Sequence, residues 1–364
     1  MKQTLRDFLC PQPKSKIKAG DGQSKGVYNF YTSSQIQSKF YHSATYTQPA
    51  LIFGTGGMAS VHYCNEPFST STDCLVMYGC QGAPLELIYY YLRSNMHLLQ
   101  DGFKGAGLQH ISKDYILNIN INMPAPSFQE QITHQMRLID AMINGKKQQI
   151  LSFDEAVKSR FIELFGTVKD NPYHFPTATL KEVCHKITDG KHGGCEQEAD
   201  SGYYYVGARE IYDGVIHYDT APEITYADFA KDYLRCNIEQ GDMVIVNTGA
   251  TIGKSAIASS PLTERTLLQK SVALLKVKTD AVSAVFLRYC YMANPSMYMV
   301  ENASAQPNLL LSKMNATVIY LPPIELQEQF TTFVEQVDKS KLAVKQSLEK
   351  LETLKKSLMQ QYFG

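Results

Sequence analysis

The sequence predicts a duplicated, strand-rich mixed α/β chain: two globular copies, each followed by one long α-helix. Three observations carry that reading. They are a gapless internal repeat, a sustained apolar seam in each copy of it, and short β-branched and aromatic runs between the seams. The repeat lays residues 128–166 over 326–364, an offset of 198 that holds to the last residue. Gln129-Glu130-Gln131 falls on Gln327-Glu328-Gln329 and Asp140 on Asp338. Lys147-Gln148 falls on Lys345-Gln346, Lys158-Ser159 on Lys356-Ser357, and Phe165-Gly166 on Phe363-Gly364.

Each element follows from its own pattern. Residues 1–124 form the first globular unit and 125–166 a long helix; 167–323 form the second unit and 324–364 its helix. In the first helix Ile132, Met136, Ile139, Ile143, Ile150, Phe153, Val157 and Leu164 recur at alternating four- and three-residue steps or multiples of them. Phe330, Val334, Val337, Val344, Leu348, Leu351, Leu358 and Tyr362 do the same in the second. A seam of this period predicts coiled-coil packing of the two helices, interrupted by Lys146, Arg160, Lys341 and Lys355. Proline-bearing segments, "NMPAPS" and "YLPPIE", end a strand ahead of each helix. At 1.5 Å per residue each helix spans roughly 55–60 Å. Within the units, "LELIYYYLRSNMHLL" and "AVFLRYCYMANPSMYMV" read as internal helices. The first unit is shorter, mainly between its Tyr-rich strand (in "GVYNFYTSSQI", matching "GYYYVGAREI") and its "FGTGGMAS" turn, which matches "VNTGATIGKS".

Composition bounds the chemistry. The 364 residues carry 35 basic and 35 acidic side chains, so no whole-molecule field points to a polyanion or a membrane. No apolar run approaches the about eighteen residues of a membrane span. The eight cysteines include no Cys-x-x-Cys and "MKQTLRDFLC" has no apolar signal core, so the expectation is a reduced, cytoplasmic protein.

Three motifs invite catalytic or metal readings. "VNTGATIGKS" ends like a phosphate-binding loop, but Gly249 and Gly253 enclose only Ala250, Thr251 and Ile252, one residue short. The following segment is broken by Pro261, which leaves no room for the helix that holds phosphates. The first copy has no lysine there, so the turn is read as a tight strand-to-strand connection. Asp170-Asn171-Pro172-Tyr173 is one proline short of an adenine-methylase tetrapeptide and is read as a turn. Cys184, His185, His192 and Cys195 lie close in sequence, yet their spacing fits no paired-ligand pattern, so no metal is expected.

The order of these features resembles the specificity subunit of a type I restriction-modification enzyme over essentially the whole chain. The resemblance rests on "SAQPNLLLSKMNATVIYLPPIELQEQ", on "NTGATIGKS", on the paired Phe-Gly helix ends and on the duplication itself. It implies that each unit is a target recognition domain reading one half of a split, asymmetric double-stranded DNA sequence. The two helices would run antiparallel and set the unread spacer. Two methyltransferase subunits would dock on the chain and methylate adenine, with restriction subunits added in some complexes. This subunit would then hold no cofactor and catalyse nothing; S-adenosylmethionine, ATP and Mg would be bound by its partners. The first unit departs from the pattern, because its turn is degenerate and "GAGLQHISKD" lacks Gln-Pro-Asn.

Candidate DNA contacts are loop residues whose side chains suit phosphates or base edges. In the first unit they are Lys25, Thr55, Lys104 and Gln109; in the second, Lys191, His192, Arg209, Thr248, Lys254, Lys270 and Gln306. Three alternatives are a nucleotide hydrolase built on residues 249–255, a coiled-coil scaffold for protein partners, and the specificity subunit of a type II system with fused methylase and nuclease.

Overall fold

The computed structural model describes residues 3–80, 82–105, 107, 109–166, 171–293 and 309–364. It divides into two compact units: residues 1–149 with 344–364, and residues 150–343.

Both units are built on the same sheet. In the first, strands Leu9–Pro11, Cys74–Gly79, Ala50–Gly54 and Ser60–Cys64 lie side by side in that order, all antiparallel. In the second, Cys184–Asp189, Val272–Val277, Met243–Val246 and Ser255–Ile257 repeat the order and the sense. Each unit adds one parallel pair, Tyr28–Tyr31 with Phe68–Thr70 in the first and Tyr204–Val206 with Thr266–Leu268 in the second. Each also ties its first strand to the strand ahead of its long helix: Gln3–Thr4 to Asn120–Ile121, and Thr177–Thr179 to Val318–Tyr320. The duplication thus extends through regions where the sequences have diverged.

A local device is also shared. The Thr4 amide donates to Asp7 Oδ2 (2.8 Å) and the Thr179 amide to Glu182 Oε2 (2.6 Å), so a carboxylate three residues on satisfies the donor at each turn. The extra length of the second unit is the hairpin Ile211–Tyr212/Val215–Ile216 and the helix Tyr226–Cys236, both inserted before the turn. Leu85–Ser94, Met96–Gln100 and Ala284–Ala293 supply the internal helices read from the sequence, and residues 294–300 of the second reading lie outside the described residues.

Two 40-residue helices follow the heads, Pro126–Phe165 and Ile324–Phe363. The repeated Gln-Glu-Gln gains a physical account here. Gln129 Nε2 donates to the Pro124 carbonyl (2.9 Å) and Gln327 Nε2 to the Pro322 carbonyl (2.8 Å), fastening each proline entry to its helix. Pro126 stands at the first helical position, where its missing N–H costs nothing. At the other end Gly166, at φ +74°, donates to the Ile162 carbonyl (2.8 Å) and stops the helix.

The helices run antiparallel in both units. In the first, the Tyr362 hydroxyl donates to Gln135 Oε1 (2.7 Å), the Lys355 ammonium to Asp140, and Lys147 pairs with Glu352 (3.1 Å). In the second, Lys341 pairs with Asp154, and Phe161 meets Phe330 edge-on with ring centroids 5.5 Å apart. Of the seam residues, Ile132, Met136, Ile139, Ile143, Val157, Phe330, Val334 and Val344 are buried. The others (Ile150, Phe153, Leu164, Val337, Leu348, Leu351, Leu358 and Tyr362) are half-buried. Ile132, Met136 and Phe363 join the core of the first head; Val157, Phe161, Phe165, Phe330 and Val334 join that of the second.

One expectation gains detail and another needs correction. Lys355 and Lys341 break the apolar run, and each finds an aspartate on the facing helix. Lys146 instead reaches Gln149 (3.4 Å) and Arg160 reaches Glu163 (2.9 Å) along its own helix. Contrary to expectation, not all the thiols are reduced: Cys10 and Cys80 form a disulfide. They are 70 residues apart, but the pairing of Leu9–Pro11 with Cys74–Gly79 brings them together. Six cysteines are free, five of them buried. Among the described residues no helix is long and apolar enough to cross a membrane.

Candidate nucleic-acid interface

In the second unit the "VNTGATIGKS" segment connects strand Met243–Val246 to strand Ser255–Ile257 as an antiparallel turn. The Gly253 amide donates to the Val246 carbonyl (2.9 Å) and the Lys254 amide to that of Thr251 (3.1 Å). Gly249 and Gly253 sit at φ +96° and +87°, a region that side chains disfavour. Strand Ser255–Ile257 follows Lys254 directly, so no helix opens behind the loop. The nucleotide-hydrolase reading therefore fails on geometry as well as on spacing.

Three loops leave the same end of this sheet. The Lys191 amide donates to the Leu268 carbonyl (2.7 Å), that of Lys270 to Lys191 (2.9 Å), and that of Asn247 to Ser271 (2.9 Å). These bonds set residues 190–195, 247–254 and 269–271 edge to edge. Lys254 and Lys270 are exposed there, Thr248 is half-buried, and His192 extends outward while meeting Asp189 Oδ2 at 3.0 Å. Arg209 follows strand Tyr204–Val206 with 86% of its side chain exposed. The neighbouring Glu210 carboxylate is buried and accepts the Gly207 amide (2.9 Å).

Lys191 departs from expectation. Its side chain is only 12% exposed, and its ammonium lies 2.8 Å from Asp232 and 3.5 Å from Asp228, both on the inserted helix. The hydrogen bond to Asp232 pushes its pKa above the usual lysine value, so it stays protonated, its charge compensated inside the unit by the two carboxylates. Asp189 holds the base of the same loop: its carboxyl pairs with Arg235 and His192. Burial pulls that carboxyl up, and those two hydrogen bonds bring it below its ordinary 3.8.

In the first unit the equivalent turn gathers three of the four sequence candidates. Lys104 and His110 exchange backbone hydrogen bonds (3.0 Å each), and His110 Nδ1 lies 3.1 Å from the Thr55 carbonyl. Lys104 and Gln109 are exposed. Thr55 is buried, and its hydroxyl donates to the Asp73 carbonyl (2.9 Å), so its role in the fold is to close the turn. Lys25 is exposed elsewhere, in the segment where Gln23 pairs with Phe40. Gln306 lies outside the described residues, as does Asp170 of the Asp-Asn-Pro-Tyr segment.

A loop missed by sequence reasoning belongs to this region. Ser33 Oγ donates to the Asp73 carbonyl (2.8 Å), Gln35 Nε2 to that of Ala59 (3.1 Å), and Ser60 Oγ to that of Ser33 (3.2 Å). Residues 32–37 are thereby stitched to the Gly-Thr-Gly-Gly turn. The signal available was positional, since this loop follows the first unit's Tyr-rich strand as Arg209 follows the second's. Cys184, His185, His192 and Cys195 do not converge, and among the described residues no cluster of His, Cys, Asp or Glu fits a metal ion.

A family model for the type I restriction modification DNA specificity domain matches the chain twice, at residues 3–152 and 173–354. The chain belongs to that family. Members are non-catalytic DNA-recognition subunits, and the strand-to-strand turn fits that role. The curated type I restriction enzyme EcoDI specificity subunit of Escherichia coli is 23% identical over 187 residues, 47% of this chain and 41% of that protein. The solved S subunit of a type I restriction-modification system from M. genitalium superposes with a TM-score of 0.66 at 15% identity, covering 100% of this chain and 96% of that one. A chain from a structural study of complex assembly and conformational transition in a type I system gives 0.51 at 15% identity, covering 100% and 97%. At these identities the solved structures establish the specificity-subunit fold.

Proposed function

We propose that the chain reads a bipartite, asymmetric double-stranded DNA target, one half through each unit, and docks the adenine methyltransferase subunits that act on it. The observation that carries this reading is the repetition of one sheet order in both units, each leading into a 40-residue helix. Two related heads with different loop residues suit two different half-sequences. Paired helices of fixed length suit a fixed number of unread base pairs between them.

The residues suited to contact are Arg209, Thr248, Lys254, Lys270, His192 and Gln306 in the second unit, and Lys25, Lys104 and Gln109 in the first. Lys254 and Lys270 meet phosphates and fix position, while Arg209, Gln109 and Gln306 present the paired donors or acceptors that distinguish base edges. Two methyltransferase subunits, and in a complete system restriction subunits, supply S-adenosylmethionine, ATP and Mg. The assembly works in the cytoplasm, where its DNA is. Neutral net charge fits a subunit that shares its phosphate contacts with partners closing around the duplex.

Methylome sequencing of cells carrying the chain with its methyltransferase tests this. A split adenine-methylated motif is expected, and replacing residues 167–322 with those of a relative changes one half only. An unsplit motif, or both halves changing, contradicts it.

A further inference from the structure

The two units present opposite chemistry at equivalent places. Where the second carries Arg209 beyond its Tyr-rich strand and Lys254 at the end of its glycine turn, the first carries no cation. Its 32–37 loop instead exposes Ile36 (74%), and its turn exposes Met58 (67%). Ser60, which faces Gly54 across its turn as Lys254 faces Val246, is buried. The two loops are held together by the Gln35–Ala59, Ser33–Asp73 and Ser60–Ser33 hydrogen bonds, and Gly54 packs so tightly that an added Cβ would lie 2.8 Å from Ser33 Cα. Two large apolar side chains therefore stand in water on a backbone pinned from several sides.

For a head that reads DNA, such side chains have an apolar target in the major groove, the 5-methyl group of thymine. We propose that the first unit reads its half-site by apolar contact of Ile36 and Met58 with thymine methyl groups, with Lys104 and Gln109 as polar flanks. The second unit reads through its cations and amides. This inference rests on the DNA-reading role proposed above and names the readout chemistry of one head.

The test uses the chain assembled with its methyltransferase and duplexes carrying the methylome-derived motif, with deoxyuridine replacing thymine in one half at a time. The half read by the first unit is the one that residues 167–322 do not govern. Each contacted thymine that loses its methyl there lowers affinity about fourfold, the worth of one buried methyl-sized group; the same replacement in the other half has a smaller effect. Ile36→Ser with Met58→Ser abolishes the sensitivity, while Ile36→Val with Met58→Leu retains it. Both pairs are on the surface, so thermal melts match the parent. Affinity unchanged by deoxyuridine in that half, or sensitivity that survives the serine pair, overturns the inference while leaving split recognition intact. A complex that modifies no split motif overturns the recognition reading and this inference together.

Discussion

Gly190 follows strand Cys184–Asp189, and an added Cβ there would lie 2.1 Å from the Leu268 carbonyl oxygen, a backbone atom that cannot step aside. Gly190→Ala should destabilise the second unit by about 2 kcal/mol or more in denaturant melts. Asp189, one residue earlier, gives a pH signature. Its carboxyl titrates below the usual 3.8, so its stabilising contribution is complete above that value and is lost as pH falls through the lower folded pKa. Melts taken from pH 6 towards pH 3 should show wild type losing stability more steeply than Asp189→Asn. Lys254, exposed at the turn, is proposed to meet phosphate: Lys254→Ala should weaken binding of the assembled complex on all sequences alike and reduce its salt slope by about one. The glycines and Lys254 were legible as a turn with a cation. The fate of Lys191 was not, because Asp228 and Asp232 come from a helix 37 and 41 residues further on, and nothing local announces that they fold back.

The long helices show how far periodicity reaches and where it stops. Their existence, length and buried face follow from the seam, and their antiparallel arrangement was implied by the family resemblance. The register between them did not follow. Asp140 and Lys355 read as a polar residue and a seam break until the structure sets them face to face, with the Tyr90 hydroxyl donating to the same carboxylate (2.9 Å). Burial, and next to it the Asp140 charge, push the Tyr90 phenol up, so it stays a donor at any physiological pH. Asp140 and Lys355 side chains are 31% and 28% exposed. Removing either should cost about 1–3 kcal/mol, since the partner is left half-buried without its counter-charge. Asp140→Ala, Lys355→Ala and the double variant, compared in denaturant melts, should show a double loss smaller than the sum. The disulfide was equally illegible, because cysteine spacing says nothing of which strands pair.

At the scale of the whole molecule, duplication is the feature from which the functional account follows, and the sequence carried it most plainly in the helices. The heads have diverged in sequence, while strand order, the strand pairings, the Thr capping turns and the glycine turn still correspond. Differing loops at the same end of each sheet suit the proposal that two heads select different base sequences, and for that reason the bases themselves are not written in any motif. Charge balance at 35 and 35 predicts weak, salt-sensitive DNA binding by the chain alone and tight binding once partners close around the duplex, measurable by titration at two ionic strengths. The central claim is that matched helices act as the ruler between two readers. Inserting seven residues, two helical turns, into both helices adds about 10.5 Å, roughly three base pairs of DNA. Methylome sequencing of that variant with its methyltransferase should return both half-sequences unchanged and a spacer about three base pairs longer. An unaltered spacer, or a changed half-sequence, would contradict the account.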